Sequence, residues 1–205
     1  MSFRLLTDRE RFRILFVCTG NICRSPMAEF LARDGLSRRL GAQAVRFEVS
    51  SAGSWGHSGA PMEDFALSTL DTYAIDGAGF RARELDVGHV SAAHLVLTAT
   101  REHRAAAVVL HPRGAARTFT LLEFARLTSV VGPQDLPEVD PVARAEALVR
   151  AAAGNRGLVP PDAPDDDDLE DPFHAPESAF LACAALIDSS LQRPLDLIAG
   201  RTHSP

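Results

Sequence analysis

Five residues separate Cys18 from Arg24 in the stretch Val17-Cys18-Thr19-Gly20-Asn21-Ile22-Cys23-Arg24-Ser25-Pro26. A loop this short can curl so that several backbone N–H groups point at one spot. Arg24 adds a planar fork of donors, and a following helix N-terminus adds partial positive charge. The set suits a tetrahedral oxyanion such as phosphate. The same field favours thiolate over thiol, and the thiolate is the attacking form of cysteine. Cys18 is therefore the candidate nucleophile, Arg24 the candidate oxyanion clamp, and Thr19, Gly20, Asn21, Ile22, Cys23 and Ser25 the rest of the binding loop.

The flanking residues indicate what positions this loop. Ile14-Leu15-Phe16-Val17 is short and apolar, a pattern that predicts a buried strand ending at Cys18. Ser25 and Pro26 read as an N-cap and first-turn proline. A helix is then expected over residues 26–40, stopped by Gly41. The alternation Val45-Arg46-Phe47-Glu48-Val49 predicts a second strand, with Ser50-Ser51-Ala52-Gly53 as a turn after it. Helical spacing returns at 61–74, Leu95-Val96-Leu97-Thr98 predicts a third strand, and 100–110 a helix. Thr118-Phe119-Thr120 is expected in a short fourth strand, followed by a helical turn over 121–127. Strands alternating with helices imply an α/β fold, a parallel sheet with helices on both faces.

Composition narrows the function classes. At 205 residues the chain is long enough for one domain with a full core, and a single domain over 1–205 is expected. A net charge of −6 argues against general nucleic-acid binding, and no apolar run approaches the length that spans a bilayer. Residues 1–11 read as a polar extension without the apolar core of a secretory signal. Three cysteines, two of them in the loop, make no disulfide framework and fit a reducing cytoplasm. His89, His94, His103 and His111 are scattered without metal-ligand spacing, so no metal and no cofactor are expected.

Residues 17–29, Val-Cys-Thr-Gly-Asn-Ile-Cys-Arg-Ser-Pro-Met-Ala-Glu, resemble the phosphate loop of the low-molecular-weight protein tyrosine phosphatases throughout. The resemblance covers residues 12–127 and returns at 171–193, with Ser51-Ala52-Gly53 and Ala82-Arg83-Glu84-Leu85 matching further segments. It implies a four-stranded, doubly wound parallel sheet with the site at the carboxyl ends of its strands. It also implies that Ser51 supports the loop, that Trp55 forms a pocket wall, and that Cys23 can pair with Cys18 under oxidant. Asp171-Pro172-Phe173-His174 resembles the family's general-acid loop. By that resemblance Asp171 protonates the leaving oxygen and then activates water, and Phe173 faces Trp55 across the substrate. The sequence departs from the family at Phe80, where many members carry histidine, and at Thr98-Ala99-Thr100-Arg101.

Residues 128–170 form an insertion. Asp140, Pro141 and Gly154 bracket a helix, and seven of the ten residues 162–171 are acidic, a run expected to be solvated and mobile. It reads either as a disordered surface insertion or as a lid or partner-recognition loop beside the site. A last helix carries Phe180, Ala184, Ile187 and Leu191 at helical spacing, with Cys183 in the core and Pro194 ending it or restarting a turn.

The function expected is hydrolysis of phosphotyrosine or aryl phosphate monoesters through a cysteinyl phosphate, on phosphorylated protein substrates, with no nucleic-acid or membrane partner and no oligomeric state implied. An arsenate reductase coupled to a small thiol is the alternative. A non-catalytic phosphate-binding module is the second.

Overall fold

The computed structural model describes residues 7, 10–163 and 165–200. Most of the expected N-terminal extension lies outside the described residues. The core strand is β1 (Phe12–Cys18), whose side chains alternate between two apolar layers. Phe12, Ile14, Phe16 and Cys18 enter the larger layer, and Leu15 and Val17 the smaller one. A strand covered on both faces must be apolar on both, which is why the sequence shows a continuous run there.

The sheet order is β2-β1-β3-β4, all parallel, with β2 at Phe47–Gly53, β3 at Leu95–Thr98 and β4 at Thr118–Thr120. One correction concerns Ser50–Gly53, expected as a turn. These residues continue the β2 ladder, pairing with Leu15–Cys18, and Ser51 and Ala52 are buried in it. Residues 45 and 46 instead belong to a 3-10 turn over Gly41–Arg46, with Val45 in solvent.

The larger face carries α1 (Arg24–Leu40), α2 (Asp64–Thr72), α5 (Leu121–Thr128), α6 (Pro141–Asn155) and α7 (Glu177–Ala199). The smaller face carries α3 (Val87–Ala92) and α4 (Arg101–Leu110), through Val90 and Ala107. The sequence reading did not anticipate α3. It is six residues long and rests on a reciprocal cap between Asp86 and His89 rather than on an apolar stripe. Helix α2 starts later than expected because the Glu63 carboxylate accepts from the N–H groups of Phe65 and Ala66 (2.8 and 3.1 Å). Helix α7 runs through Pro194 without stopping. Leu195, Leu197 and Ile198 beyond it are buried, and Arg144 Nε donates to the Leu197 carbonyl (2.6 Å).

The 128–170 segment is built into the core. Asp140 caps α6 through the Val142 N–H (2.9 Å), and Val142, Ala145, Leu148 and Ala152 are buried against α5 and α7. The acidic run also differs from the solvated reading. Asp162, Asp165 and Asp166 are exposed, but Asp167 is buried against Arg126 (2.7 and 2.9 Å), and Asp168 accepts the Arg101 N–H at the start of α4 (2.7 Å). Leu169 is buried and donates its N–H to Ala99 (2.8 Å). Buried carboxylates require partners, and arginines distant in sequence supply them.

Candidate active site

Cys18 ends β1, and the loop Thr19–Cys23 turns directly into α1, which begins at Arg24. Ser25, expected as the N-cap, lies inside the helix, and its hydroxyl is used elsewhere. The carbonyls of Cys18, Thr19, Gly20 and Ile22 accept the N–H groups of Ser54, Trp55, His57 and Glu63 (2.8–3.0 Å). In a trans peptide the C=O of one residue and the N–H of the next point opposite ways. Anchoring these carbonyls on the 54–63 segment therefore directs the N–H groups of Thr19, Gly20, Asn21 and Cys23 away from it. Gly53 permits the close approach: a Cβ there would sit 2.4 Å from the Thr19 carbonyl oxygen.

Asn21 holds the loop from inside. It is fully buried at φ 56°, a left-handed conformation that asparagine tolerates better than most residues. Its Oδ1 accepts the Arg83 N–H (2.9 Å), which fixes the orientation of the amide. Nδ2 then donates to Ser25 Oγ (2.9 Å) and Ser51 Oγ (2.8 Å). Ser51 passes its own proton to Glu29 Oε2 (2.6 Å). Because Ser25 Oγ accepts from Asn21, its proton is free for Cys18 Sγ, 2.9 Å away. With the hydroxyl as donor, the contact has the direction that a thiolate acceptor requires.

Arg24 is buried. Its Nη1 donates to the Leu169 carbonyl (3.1 Å), its Nη2 donates to Thr19 Oγ1 (3.2 Å), and Nη2 is also ion-paired to Asp171. Its Nε is buried without a hydrogen-bond partner among the described residues, which leaves a charged donor for an oxyanion. Asp171 is half-exposed, and its second oxygen accepts the Phe173 N–H (3.2 Å), folding the acid loop over the buried Pro172.

Cys18, Thr19, Gly20, Ile22, Cys23, Arg24, Trp55, His57, Asp171 and Phe173 line one cleft of about 180 Å³. The structure thus brings together the nucleophile, clamp, acid and both aromatic walls named from sequence. Asn21, Ser25 and Ser51 stand behind them. Trp55 is 78% exposed and Phe173 42%, so both rings remain open to a ligand. Burial, then the neighbouring Cys18, pushes the Cys23 thiol upward. Cys183 sits in the core of α7, and burial pushes its thiol up to about 12. Among the described residues no group of histidine, cysteine and carboxylate side chains could hold a metal ion.

Sequence reasoning missed four participants. Glu29 and Arg83 close the Asn21–Ser51 network from outside, Arg83 donating its Nε to the Ser51 carbonyl (2.6 Å). The Leu169 carbonyl anchors Arg24. His103, set aside as one of several scattered histidines, places Nε2 2.9 Å from Thr19 Oγ1. The Thr100-x-x-His103 spacing at the start of α4 was the available signal.

The family described as low molecular weight phosphotyrosine protein phosphatase matches residues 13–152. Low molecular weight protein-tyrosine phosphatase A of Mycobacterium bovis is 31% identical over 184 residues, 89% of this chain and 88% of that one. A protein-arginine-phosphatase of Geobacillus stearothermophilus is 37% identical over 113 residues, 55% of this chain and 71% of that one. Among solved structures, the YwlE arginine phosphatase of Geobacillus stearothermophilus superposes with a TM-score of 0.64 at 27% identity, covering 90% of this chain and 91% of its own. A low molecular weight protein tyrosine phosphatase of T. tengcongensis also gives 0.64, at 28% identity over 89% of this chain and 96% of its own.

Proposed function

This chain belongs to the low molecular weight phosphotyrosine protein phosphatase family, and from that premise we propose that it hydrolyses phosphotyrosine in proteins through a phosphocysteine formed on Cys18. The phosphoryl oxygens rest on the loop N–H groups and on the Arg24 fork, where they take the place of the Asp171 carboxylate. The Cys18 thiolate attacks phosphorus as the bond to the tyrosine oxygen breaks, and the leaving phenolate takes its proton from Asp171. Water then attacks the phosphocysteine and gives its proton to Asp171. The departing sulfur recovers its negative charge against the Ser25 hydroxyl. Donors fixed in advance around the developing charge supply much of the rate enhancement in sites of this kind.

The observation that carries this reading is the pair of dedicated donors. Ser25, accepting from Asn21, can give its proton to Cys18, and buried Arg24 Nε has no hydrogen-bond partner among the described residues.

The relatives include named tyrosine and arginine phosphatases, and the cleft lining favours the first. Ile22, Trp55 and Phe173 offer apolar and aromatic contact to a phenyl ring. A phosphoarginine guanidinium would need acceptors, and among the described residues the one carboxylate lining the cleft is Asp171, already engaged as the acid. Among the described residues no helix is long and apolar enough to cross a membrane. The cysteine content supports a reducing cytoplasm as the working compartment.

The test is a side-by-side assay with phosphotyrosine peptide, phosphoarginine peptide, p-nitrophenyl phosphate, and arsenate with a small thiol. Preferential turnover of the phosphotyrosine peptide is expected, with Cys18→Ser abolishing it while still binding vanadate. Normal turnover by Cys18→Ser would rule out the mechanism, and preference for phosphoarginine or arsenate would replace the substrate class.

A further inference from the structure

A larger cavity of about 590 Å³ shares Thr19, Arg24 and Asp171 with the cleft, and its wall also includes Thr100 and His103. Among the described residues on that wall, His103 is the only histidine. It is buried, and both of its ring nitrogens are engaged. Nδ1 lies 2.7 Å from Thr100 Oγ1 and Nε2 lies 2.9 Å from Thr19 Oγ1.

The hydrogen-bond directions are constrained. Thr100 caps α4 by accepting the His103 backbone N–H, so its own proton is available to Nδ1. In the tautomer whose Nδ1 accepts that proton, the neutral ring carries its own proton on Nε2 and donates to Thr19 Oγ1. That oxygen also accepts from Arg24 Nη2. With two donors on its oxygen, the Thr19 hydroxyl proton is turned outward as a further donor beside Arg24. The same chain accepts a second proton on the ring without moving a heavy atom. The Thr100 hydroxyl rotates, Nδ1–H donates to it, and Nε2–H still donates to Thr19.

We propose that His103 is a positioning residue that aims Thr19 and Arg24 at the phosphoryl group, and that it takes up a proton from solvent when a dianion occupies the site. This rests on the phosphatase reading and adds to it a proton-linked step outside the nucleophile and the acid. The electrostatics around the ring support it. Burial, then the adjacent Arg24 charge, holds the ring below the usual histidine range, whereas Glu102 on its own helix and Asp171 and Asp168 from the segment after α6 pull the other way. Asp165 and Glu170 line the same cavity, and Arg101 is paired with Asp165 and Asp168. A dianion on Arg24 offsets the Arg24 charge that opposes ring protonation and adds negative charge of its own. Linkage is reciprocal, so a dianion that favours the protonated ring is itself held more tightly when the ring is protonated.

Sulfate is a suitable probe because its charge stays at two across the relevant pH range. The measurement is the titration of the His103 ring by NMR in the wild-type protein, with and without saturating sulfate. Alongside it, kcat and KM for p-nitrophenyl phosphate are followed against pH in wild type, His103→Gln and His103→Ala. The ring should be neutral at neutral pH without sulfate, and its midpoint should rise with sulfate by about one to three units, the range for a close opposite charge. His103→Gln, whose amide can still donate to Thr19, should retain most of kcat while losing the pH limb that belongs to the ring. His103→Ala should lose about tenfold or more in kcat, roughly 1.4 kcal/mol of transition-state stabilisation. If sulfate competes with substrate and the midpoint does not move, this inference fails while the phosphatase reading stands. If sulfate does not compete, this inference fails, whereas only an absence of p-nitrophenyl phosphate turnover would bring down the phosphatase reading with it. Equal kinetics in wild type and His103→Ala would also overturn it. Should His103→Ala not fold, the wild-type titration decides.

Discussion

Asp171 is ion-paired to Arg24 across 147 residues of chain, so the proposed general acid and the proposed phosphate clamp occupy each other. A phosphoryl dianion competes with the carboxylate for the guanidinium, and its binding frees Asp171 to face the leaving oxygen. Asp171→Asn removes both the competitor and the acid. Turnover of aryl phosphates with poor leaving groups should fall about 10²- to 10⁴-fold, and far less for very good leaving groups, which need no proton. Inorganic phosphate should bind no more weakly than to wild type, because Arg24 no longer has to release a carboxylate. Rates measured across a series of substituted phenyl phosphates check this. A uniform loss for every leaving group would remove Asp171 from the acid role.

Asn21 combines a left-handed backbone with three side-chain hydrogen bonds, and the two contributions can be separated. Asn21→Ala should cost about 1–3 kcal/mol of stability through the unmet Ser51 and Arg83 groups, together with backbone strain. Asn21→Gly relieves the strain and still loses the hydrogen bonds. If the amide aligns Ser25 on Cys18, both variants should lose kcat to a similar extent while glycine recovers part of the melting temperature. Full activity in Asn21→Gly would mean that only the backbone angle matters.

Arg126 grips Asp167 through Nε and Nη2, while its Nη1 donates to the Val159 carbonyl. Two residues on, Leu169 offers its carbonyl to Arg24, and Asp171 follows two residues later. Arg126→Ala should lower stability by about 1–3 kcal/mol, the range for leaving a buried partner unsatisfied. It should also reduce kcat more than it raises KM, since the acid loop loses its footing while the phosphate loop is untouched. Asp166→Asn, at an exposed position in the same run, should do neither. Thermal melts and steady-state kinetics on the two variants check both statements. Equal kcat in Arg126→Ala and wild type would show that this anchor does not position Asp171.

The legible parts of the site are those in which chemistry and periodicity fall within one short window. Cys18, Arg24 and the strand before them form one continuous signal, and the strand alternation was enough to give the parallel sheet. Ser50–Gly53 misled because serine and glycine are turn residues by type. A ladder against the apolar, buried residues Leu15–Cys18 of β1 overrides that preference. The acidic run misled for a different reason. Counting charges within a segment ignores the arginines that the fold brings to it, and Arg126 lies 41 residues before Asp167. His103 was hidden in the same way, its partner Thr19 being 84 residues distant. Helix α3 left no periodic trace because its reciprocal cap, rather than an apolar face, defines it.

Glu29 gives the stability of the fold a distinctive pH dependence. It is buried beneath Ser51 and paired with Arg33, which is itself half-exposed. Burial holds its carboxyl above the usual glutamate range, against the opposing hydrogen bond from Ser51 and the Arg33 charge. A group raised in the folded state binds more protons folded than unfolded between its two pKa values. Its contribution to stability is therefore complete below the unfolded value, about 4.3, and is lost as pH rises through the folded one. Glu48 and Asp140 have the opposite sign. Their arginine partners, Arg11 and Arg46, lower them, so their contributions are present above the unfolded values and lost as pH falls. The raw profile of the protein mixes these effects. The difference between wild type and Glu29→Gln isolates the first, because glutamine keeps an oxygen for the Ser51 proton and removes the titration. Denaturant unfolding of both proteins from about pH 4 to 8 should show wild type losing stability relative to the variant as pH rises. A flat difference, or one that slopes the other way, would mean that the Ser51 hydrogen bond and Arg33 outweigh burial and that Glu29 works as an ordinary ionised partner of the catalytic loop.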